Sequence, residues 1–152
     1  MLELRKIVKP DLRTYFALKV LPEQNDLVSP NEITLAQAAY ETGSYVWGLW
    51  EGDTAVGMIA MIHPRESDDL DEGDDPDAAY VWRLMVGAEH QGKGFGKQAL
   101  LAAINQAANW GLPRICLTVA DEAHSAIEFY ENLGFVKTGR VVDTEIELIR
   151  DI

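Results

Sequence analysis

Apolar residues recur along this chain in two rhythms, one of every second residue and one of every third or fourth, and the switches between them predict its elements. Leu2 to Val8 alternates as an edge strand does. From Pro10 to about Val20 the spacing of Leu12, Phe16 and Val20 is helical. Ser29, Pro30 and Glu32 form a helix start. The Ser29 hydroxyl can accept from the Glu32 amide, Pro30 suits the first helical position, and Glu32 can reach back to the cap. The helix so begun is predicted to run to about Thr42 and to stop at Gly43. Tyr45 to Trp50 and Thr54 to Ile62 are aromatic, β-branched and apolar, and they flank Glu51-Gly52-Asp53, which predicts an antiparallel hairpin.

A stretch from Glu66 to Asp77, eight of whose twelve residues are acidic, is broken by Gly73 and Pro76 and reads as a solvated loop. Tyr80 to Val86 is a fourth strand. A glycine-rich turn then opens a helix with Leu100, Leu101, Ile104, Ala107 and Ala108 on one stripe, ended by Gly111 and Pro113. Arg114 to Val119 is a strand, Ser125 to Leu133 a helix closed by Gly134, and Phe135 to Val142 with Glu145 to Ile149 a last strand pair. This order predicts a mixed α/β fold with a partly parallel sheet.

At 152 residues and 47% hydrophobic content, a single domain over residues 1–152 is expected. Cys116, the only cysteine, has no internal disulfide partner; a basic-then-apolar leader and a bilayer-length apolar run are both absent, so a reducing, cytoplasmic location is expected. A net charge of −12 disfavours nucleic acid and anionic membrane surfaces and favours cationic partners. Solubility alone is the plainer explanation of that charge.

Chemistry concentrates in Gln91-Gly92-Lys93-Gly94-Phe95-Gly96-Lys97, where a strand hands over to a helix. Glycines let the backbone approach a ligand closely, and the first amides of a helix have no intrahelical acceptor, so the turn suits an anion such as phosphate. Lys93 and Lys97 make it a positive island on a negative molecule. Gly87 to Lys93 matches G-x-x-x-x-G-K, but Gly94 stands where a triphosphate-binding loop needs a hydroxyl for magnesium, so that reading fails. The dinucleotide fingerprint fails too, because its third glycine would fall on Lys97.

Gln91-x-x-Gly94-x-Gly96 is the Q/R-x-x-G-x-G/A pattern of the GNAT superfamily of N-acetyltransferases, which the chain resembles here. His124-Ser125-Ala126-Ile127-Glu128-Phe129-Tyr130, continuing through Gly134-Phe135, is similar to the second signature of that family. The resemblance covers nearly the whole chain. It implies about seven strands, mostly antiparallel, with a splayed parallel central pair, flanked by about four helices. It also implies acetyl-CoA as co-substrate, with the loop amides from Gln91 to Lys97 on its pyrophosphate, the main chain of Leu84, Met85 and Val86 beside the pantetheine arm, and His124 and Ala126 as further contacts. His124 stands where the family usually has asparagine. Among subgroups, Trp82-Arg83-Leu84-Met85-Val86 leading into Gln91-Gly92-Lys93-Gly94 looks most like the spermine and spermidine acetyltransferases.

The implied reaction is attack of a primary amine on the thioester in a ternary complex. Tyr130 is the expected general acid, since a phenol near pKa 10 stays protonated at neutral pH and can donate to a departing thiolate. No base is assigned: Glu41 and Glu51 both qualify by position near strand ends. Tyr45, Trp47, Tyr80 and Trp82 are candidates to line an acceptor pocket, where aromatic faces favour alkylammonium groups. The acidic loop points to a small polycation such as a polyamine; aminoglycosides, amino acids and protein N-termini are the alternatives. A sensor that binds acyl-CoA without chemistry is the rival from another class. No metal is called for, and a homodimer is an assembly that the resemblance allows.

Overall fold

The computed structural model describes residues 1–120 and 124–152, without the side chains of His124 and Ser125. Seven strands form one sheet in the order β1-β2-β3-β4-β5-β7-β6. They are β1 (Leu2–Lys6), β2 (Ser44–Glu51), β3 (Thr54–Ile62), β4 (Ala78–Val86), β5 (Arg114–Ala120), β6 (Val136–Val142) and β7 (Glu145–Asp151). All neighbouring pairs are antiparallel except β4 and β5. The mixed sheet and the parallel central pair expected from the sequence are both present.

Among the described residues four α-helices cover it: α1 (Leu12–Ala17), α2 (Asn31–Ala38), α3 (Phe95–Asn109) and α4 (His124–Asn132). Alternation along the central strands sorts their side chains. Ala79, Val81, Ile115 and Leu117 face the larger core with Ala99, Leu100, Ala103 and Ala107 of α3, whose small residues let helix and sheet approach closely. Met58 and Met85 face the opposite side, where Tyr15 of α1 is fully buried. The helical stripe expected of Leu12, Phe16 and Val20 is therefore displaced: Tyr15 is the anchor, its hydroxyl accepting from Trp50 Nε1 at 2.9 Å, and Phe16 is 37% exposed. Leu101, expected in the α3 stripe, is likewise exposed.

The start of α2 also departs from expectation. Pro30, not Ser29, is the N-cap, and its carbonyl accepts from the Ile33 and Thr34 amides. The Ser29 hydroxyl instead accepts from Arg83 at 3.3 Å, and Glu32 pairs with Lys19 at 3.4 Å. Long-range partners outcompete the local cap. The helix ends at Ala38, short of Thr42, and a turn carries the chain to Gly43, whose φ of +74° sits beside the His63 carbonyl.

Two features of β4 shape the rest. Its pairing with β5 runs only from Ala78↔Arg114 to Val81↔Leu117, although β4 continues along β3 to Val86 and β5 continues along β7 to Ala120. At the same point β4 bulges: Ala60 faces Arg83 and Met61 faces Val81, leaving Trp82 as the extra residue. A bulge increases local twist and puts two successive side chains on one face. Here they are Trp82 and Arg83, after which Leu84 returns to the α3 side and Met85 to the α1 side.

The register of β3 on β4 also requires Gly57, where a Cβ would collide with the Met85 carbonyl. Gly57→Ala is expected to destabilise the protein by about 1–3 kcal/mol, because rigid main chain must give way. A urea midpoint equal to that of the parent would contradict this account of the β3–β4 contact.

Candidate functional site

The glycine-rich turn lies at the mouth of the gap between β4 and β5. Gly92 and Gly94 have φ of +77° and +82°, a region that a β-carbon disfavours, and Gly94 is the N-cap of α3. No side chain caps this helix. Among the described residues, the amides of Gly92, Lys93, Gly94, Phe95, Gly96 and Lys97 meet no backbone or side-chain acceptor; the first helical bond runs from Gln98 N to Gly94 O at 3.2 Å. A β-carbon at Gly92 or Gly94 would meet nothing within 4 Å, so the space beside these two α-carbons is open. Lys93 and Lys97 are exposed beside it. Such a nest of donors at a helix start can hold a diphosphate.

Gln91 is engaged differently. Its Nε2 donates to Val86 O at 3.0 Å and to Gln24 Oε1 at 2.9 Å, and its Oε1 accepts from Gln24 Nε2 at 3.3 Å. The side chain ties the turn to the end of β4. Leu84, Met85 and Val86 lie on the stretch of β4 that has no β5 partner, so the edge facing the gap is open to another extended chain.

Helix α4 borders the turn: a β-carbon at Gly96 would sit 3.8 Å from Phe129 Cζ. Tyr130 follows, its ring edge-on to Phe129 and Phe135 at centroid distances of 5.3 and 5.9 Å. Its hydroxyl finds no hydrogen-bond partner among the described residues, and burial raises its pKa above the ordinary value, which keeps the phenol neutral and able to donate. Ala126 is half-buried on the same helix. The contact expected of His124 concerns a side chain outside those described.

On the opposite side of the sheet a cleft of about 330 Å³ opens where β4 and β5 part. Tyr80 and Trp82 of β4 and Cys116 and Thr118 of β5 form its floor, and the acidic loop forms a wall through Asp69, Asp71, Asp74 and Asp75. The loop is solvated along most of its length, as expected, and it is also latched down. Arg114 holds Asp75 at 2.6 Å, Arg140 holds Asp74 at 2.8 Å and Glu147 at 3.2 Å, and Arg65 holds Asp77 at 3.1 Å. The Arg114 hydrogen bond lowers the Asp75 pKa against the opposing effect of burial. Burial pushes the Cys116 thiol up to about 12, so it is a neutral part of the floor.

A hydroxyl chain leads out of this cleft. Thr118 Oγ1 donates to Glu145 at 3.0 Å and lies 3.2 Å from Tyr80 Oη. Since a carboxylate only accepts, the threonine proton points to Glu145 and Tyr80 must be the donor to Thr118. Of the two carboxylates considered as bases, Glu41 lines the cleft, whereas Glu51 pairs with the amino terminus at 3.2 Å, remote from it. Of the four aromatic candidates, Tyr80 and Trp82 are in the cleft. Tyr45 and Trp47 instead stack on each other at 5.9 Å and against Trp110. Thr118 and Glu145 escaped sequence reasoning, although alternation with buried Ile115 and Leu117 puts Cys116 and Thr118 on a common face.

A parallel pair that parts above a helix start with unclaimed amides, backed by a cleft on the other face, defines a GNAT-type α/β fold. The family model "Acetyltransferase (GNAT) family" matches residues 4–135. The chain belongs to the GNAT family of acetyltransferases. It is 30% identical over 113 residues to the mycothiol acetyltransferase of Corynebacterium efficiens, a match covering 74% of this chain and 35% of that protein. The chain thus spans about a third of the length of that curated relative. Among solved structures, an aminoglycoside acetyltransferase in complex with coenzyme A superposes with a TM-score of 0.80 at 16% identity, over 99% of this chain and 95% of that one. A spermidine N-acetyltransferase mutant of Vibrio cholerae gives 0.71 at 20% identity, over 99% and 93%. Identities this low show a common fold. No helix among the described residues is long and apolar enough to cross a membrane.

The Asp75–Arg114 latch has a pH signature. A carboxylate whose folded pKa is depressed contributes stability above its unfolded value, near 4, and loses it as pH falls through the folded value. Arg114→Gln is therefore expected to lower the thermal midpoint at pH 7, with the gap from the parent closing as pH drops below that folded value. A gap of constant size down to acid unfolding would exclude this role for the pair.

Proposed function

We propose that this protein transfers an acetyl group from acetyl-CoA to a primary amine on a small cationic acceptor, by direct attack in a ternary complex. The observation that carries the proposal is the run of amides from Gly92 to Lys97 that find no partner among the described residues, at the mouth of an open strand edge. Together they suit one extended cofactor with a diphosphate at one end. When bound, acetyl-CoA supplies an activated acyl group. In this reading the loop amides bind the diphosphate with help from Lys93 and Lys97, and Gln91 holds the turn in place. The free edge of Leu84, Met85 and Val86 pairs with the pantetheine arm, while His124 and Ala126 flank it from α4.

Residues of this chain then move two protons. Tyr130, kept neutral by burial, gives its proton to the departing thiolate. The acceptor arrives as an ammonium and must lose a proton before attack. The hydroxyl chain from Tyr80 through Thr118 supports an exit to the Glu145 carboxylate, each oxygen passing on its own proton as it accepts the next. The acidic wall and the Tyr80 and Trp82 faces favour a cationic acceptor over an anionic one. The fold shared with a spermidine acetyltransferase agrees with that preference, as does the one shared with an aminoglycoside acetyltransferase.

Thiol release from acetyl-CoA, followed across polyamines, aminoglycosides, amino acids and peptides, tests the whole proposal. Binding of coenzyme A without turnover of any amine would replace the transferase with a binding protein. Tyr130→Phe is expected to lower kcat about 10- to 100-fold while coenzyme A affinity changes little. Thr118→Val, which breaks the hydroxyl chain without changing side-chain shape, is expected to lower kcat at least about ten-fold at neutral pH. Undiminished turnover in the valine variant would remove the Glu145 route.

A further inference from the structure

The bulge at Trp82 turns Arg83 to the cleft side of the sheet, and no carboxylate among the described residues pairs with it there. Among the described residues its guanidinium donates only to neutral oxygens: Trp82 O at 2.9 Å, Gln37 Oε1 at 3.2 Å and Ser29 Oγ at 3.3 Å. It also lies 5.1 Å from the centre of the Trp82 ring. The arginines latching the loop, by contrast, are all taken by aspartates or glutamates. Among the described residues, Arg83 is the one cation lining the cleft, and also the one lining the shallower groove that continues it along α2, on a protein with a net charge of −12. A half-buried charge left with weak neutral partners is poised for a counter-ion, because a carboxylate matches the guanidinium fork in two bonds where an amide or hydroxyl oxygen offers one.

We propose that the acceptor carries a carboxylate on the same molecule as its amine, and that Arg83 seats it. This inference rests on the acetyl-transfer reading and narrows it. The class that fits is the dibasic amino acids, net cationic molecules with an anionic end. The carboxylate displaces Gln37 and Ser29 from the guanidinium. A cationic group remains to face Asp69 and Asp71, which no described cation engages. The exposed side chains of Ile33 and Tyr40, beside Arg83 in the groove, offer an apolar rim to the methylene chain between the charges. A plain diamine would leave Arg83 unmatched and add a further positive charge next to it.

Matched acceptors with and without the carboxylate isolate this contact: lysine against cadaverine, and ornithine against putrescine, each assayed by thiol release at saturating acetyl-CoA. The wild-type protein is expected to favour the amino acid of each pair by at least about ten-fold in kcat/KM, the worth of a charge-assisted bidentate contact. Arg83→Gln should collapse that ratio toward one, chiefly through KM of the amino acid, and Arg83→Lys should restore part of it. Coenzyme A affinity, measured by calorimetry on each variant, reports whether the fold is intact. A wild-type preference for the diamines, or a ratio that Arg83→Gln leaves untouched in a folded variant, overturns the inference while acetyl transfer stands. Turnover confined to amines without a carboxylate does the same. No turnover of any amine sinks both readings.

Discussion

The site depends on one interruption of hydrogen bonding. Beyond Val81 and Leu117 the two central strands stop sharing a ladder, though each keeps its outer neighbour. A sheet interior normally satisfies its main-chain groups on both sides, so an unpaired stretch in its middle is costly unless water or a ligand takes up the pairing. The bulge at Trp82 supplies the local twist that keeps the strands apart, and Gly57 lets β3 hold β4 closely on its other side.

The two sides of that gap are built from different materials. On the α3 side the exposed hydrogen-bonding groups are main chain: loop amides, a helix start and a strand edge. Their geometry is set by two left-handed glycines and by the Gln91 side chain bridging the turn to Val86 O. On the other side the cleft is made of side chains held by salt bridges. Exposed ion pairs add little stability singly, but a set of them that pins one loop to β5 and β6 fixes where its carboxylates stand. Diphosphate recognition by backbone tolerates sequence change. Recognition of an acceptor by arginine, aspartate and aromatic groups does not, which agrees with family neighbours of one fold whose names carry different acceptors.

The glycine turn was readable in the sequence because its chemistry is local: positive-φ glycines and orphan amides arise within a few residues of each other. For the same reason the order of elements along the chain, the hairpin about Gly52 and the helix after Gly94 followed from periodicity. The start of α2 was not, since Ser29 looks like a cap until Arg83, distant in sequence, claims its hydroxyl. Tyr15 replaced Phe16 as the anchor of α1 because Gly48, where a β-carbon would overlap the Tyr15 ring, leaves room for that residue. Tyr45 and Trp47 likewise went to a stack with Trp110 that no spacing within the hairpin announces.

By itself, the sequence determined the order of the elements and the glycine-rich turn before α3, both of which rest on interactions between near neighbours in the chain. Only the tertiary structure decided which side chains share the cleft. Trp82 and Arg83 project to one face because of a register shift against β3, the acidic loop becomes a wall because arginines of β5 and β6 reach it, and Thr118 meets Tyr80 and Glu145 from three separate strands. Periodicity carries no information about register or about pairings between distant segments, and these contacts are made of both.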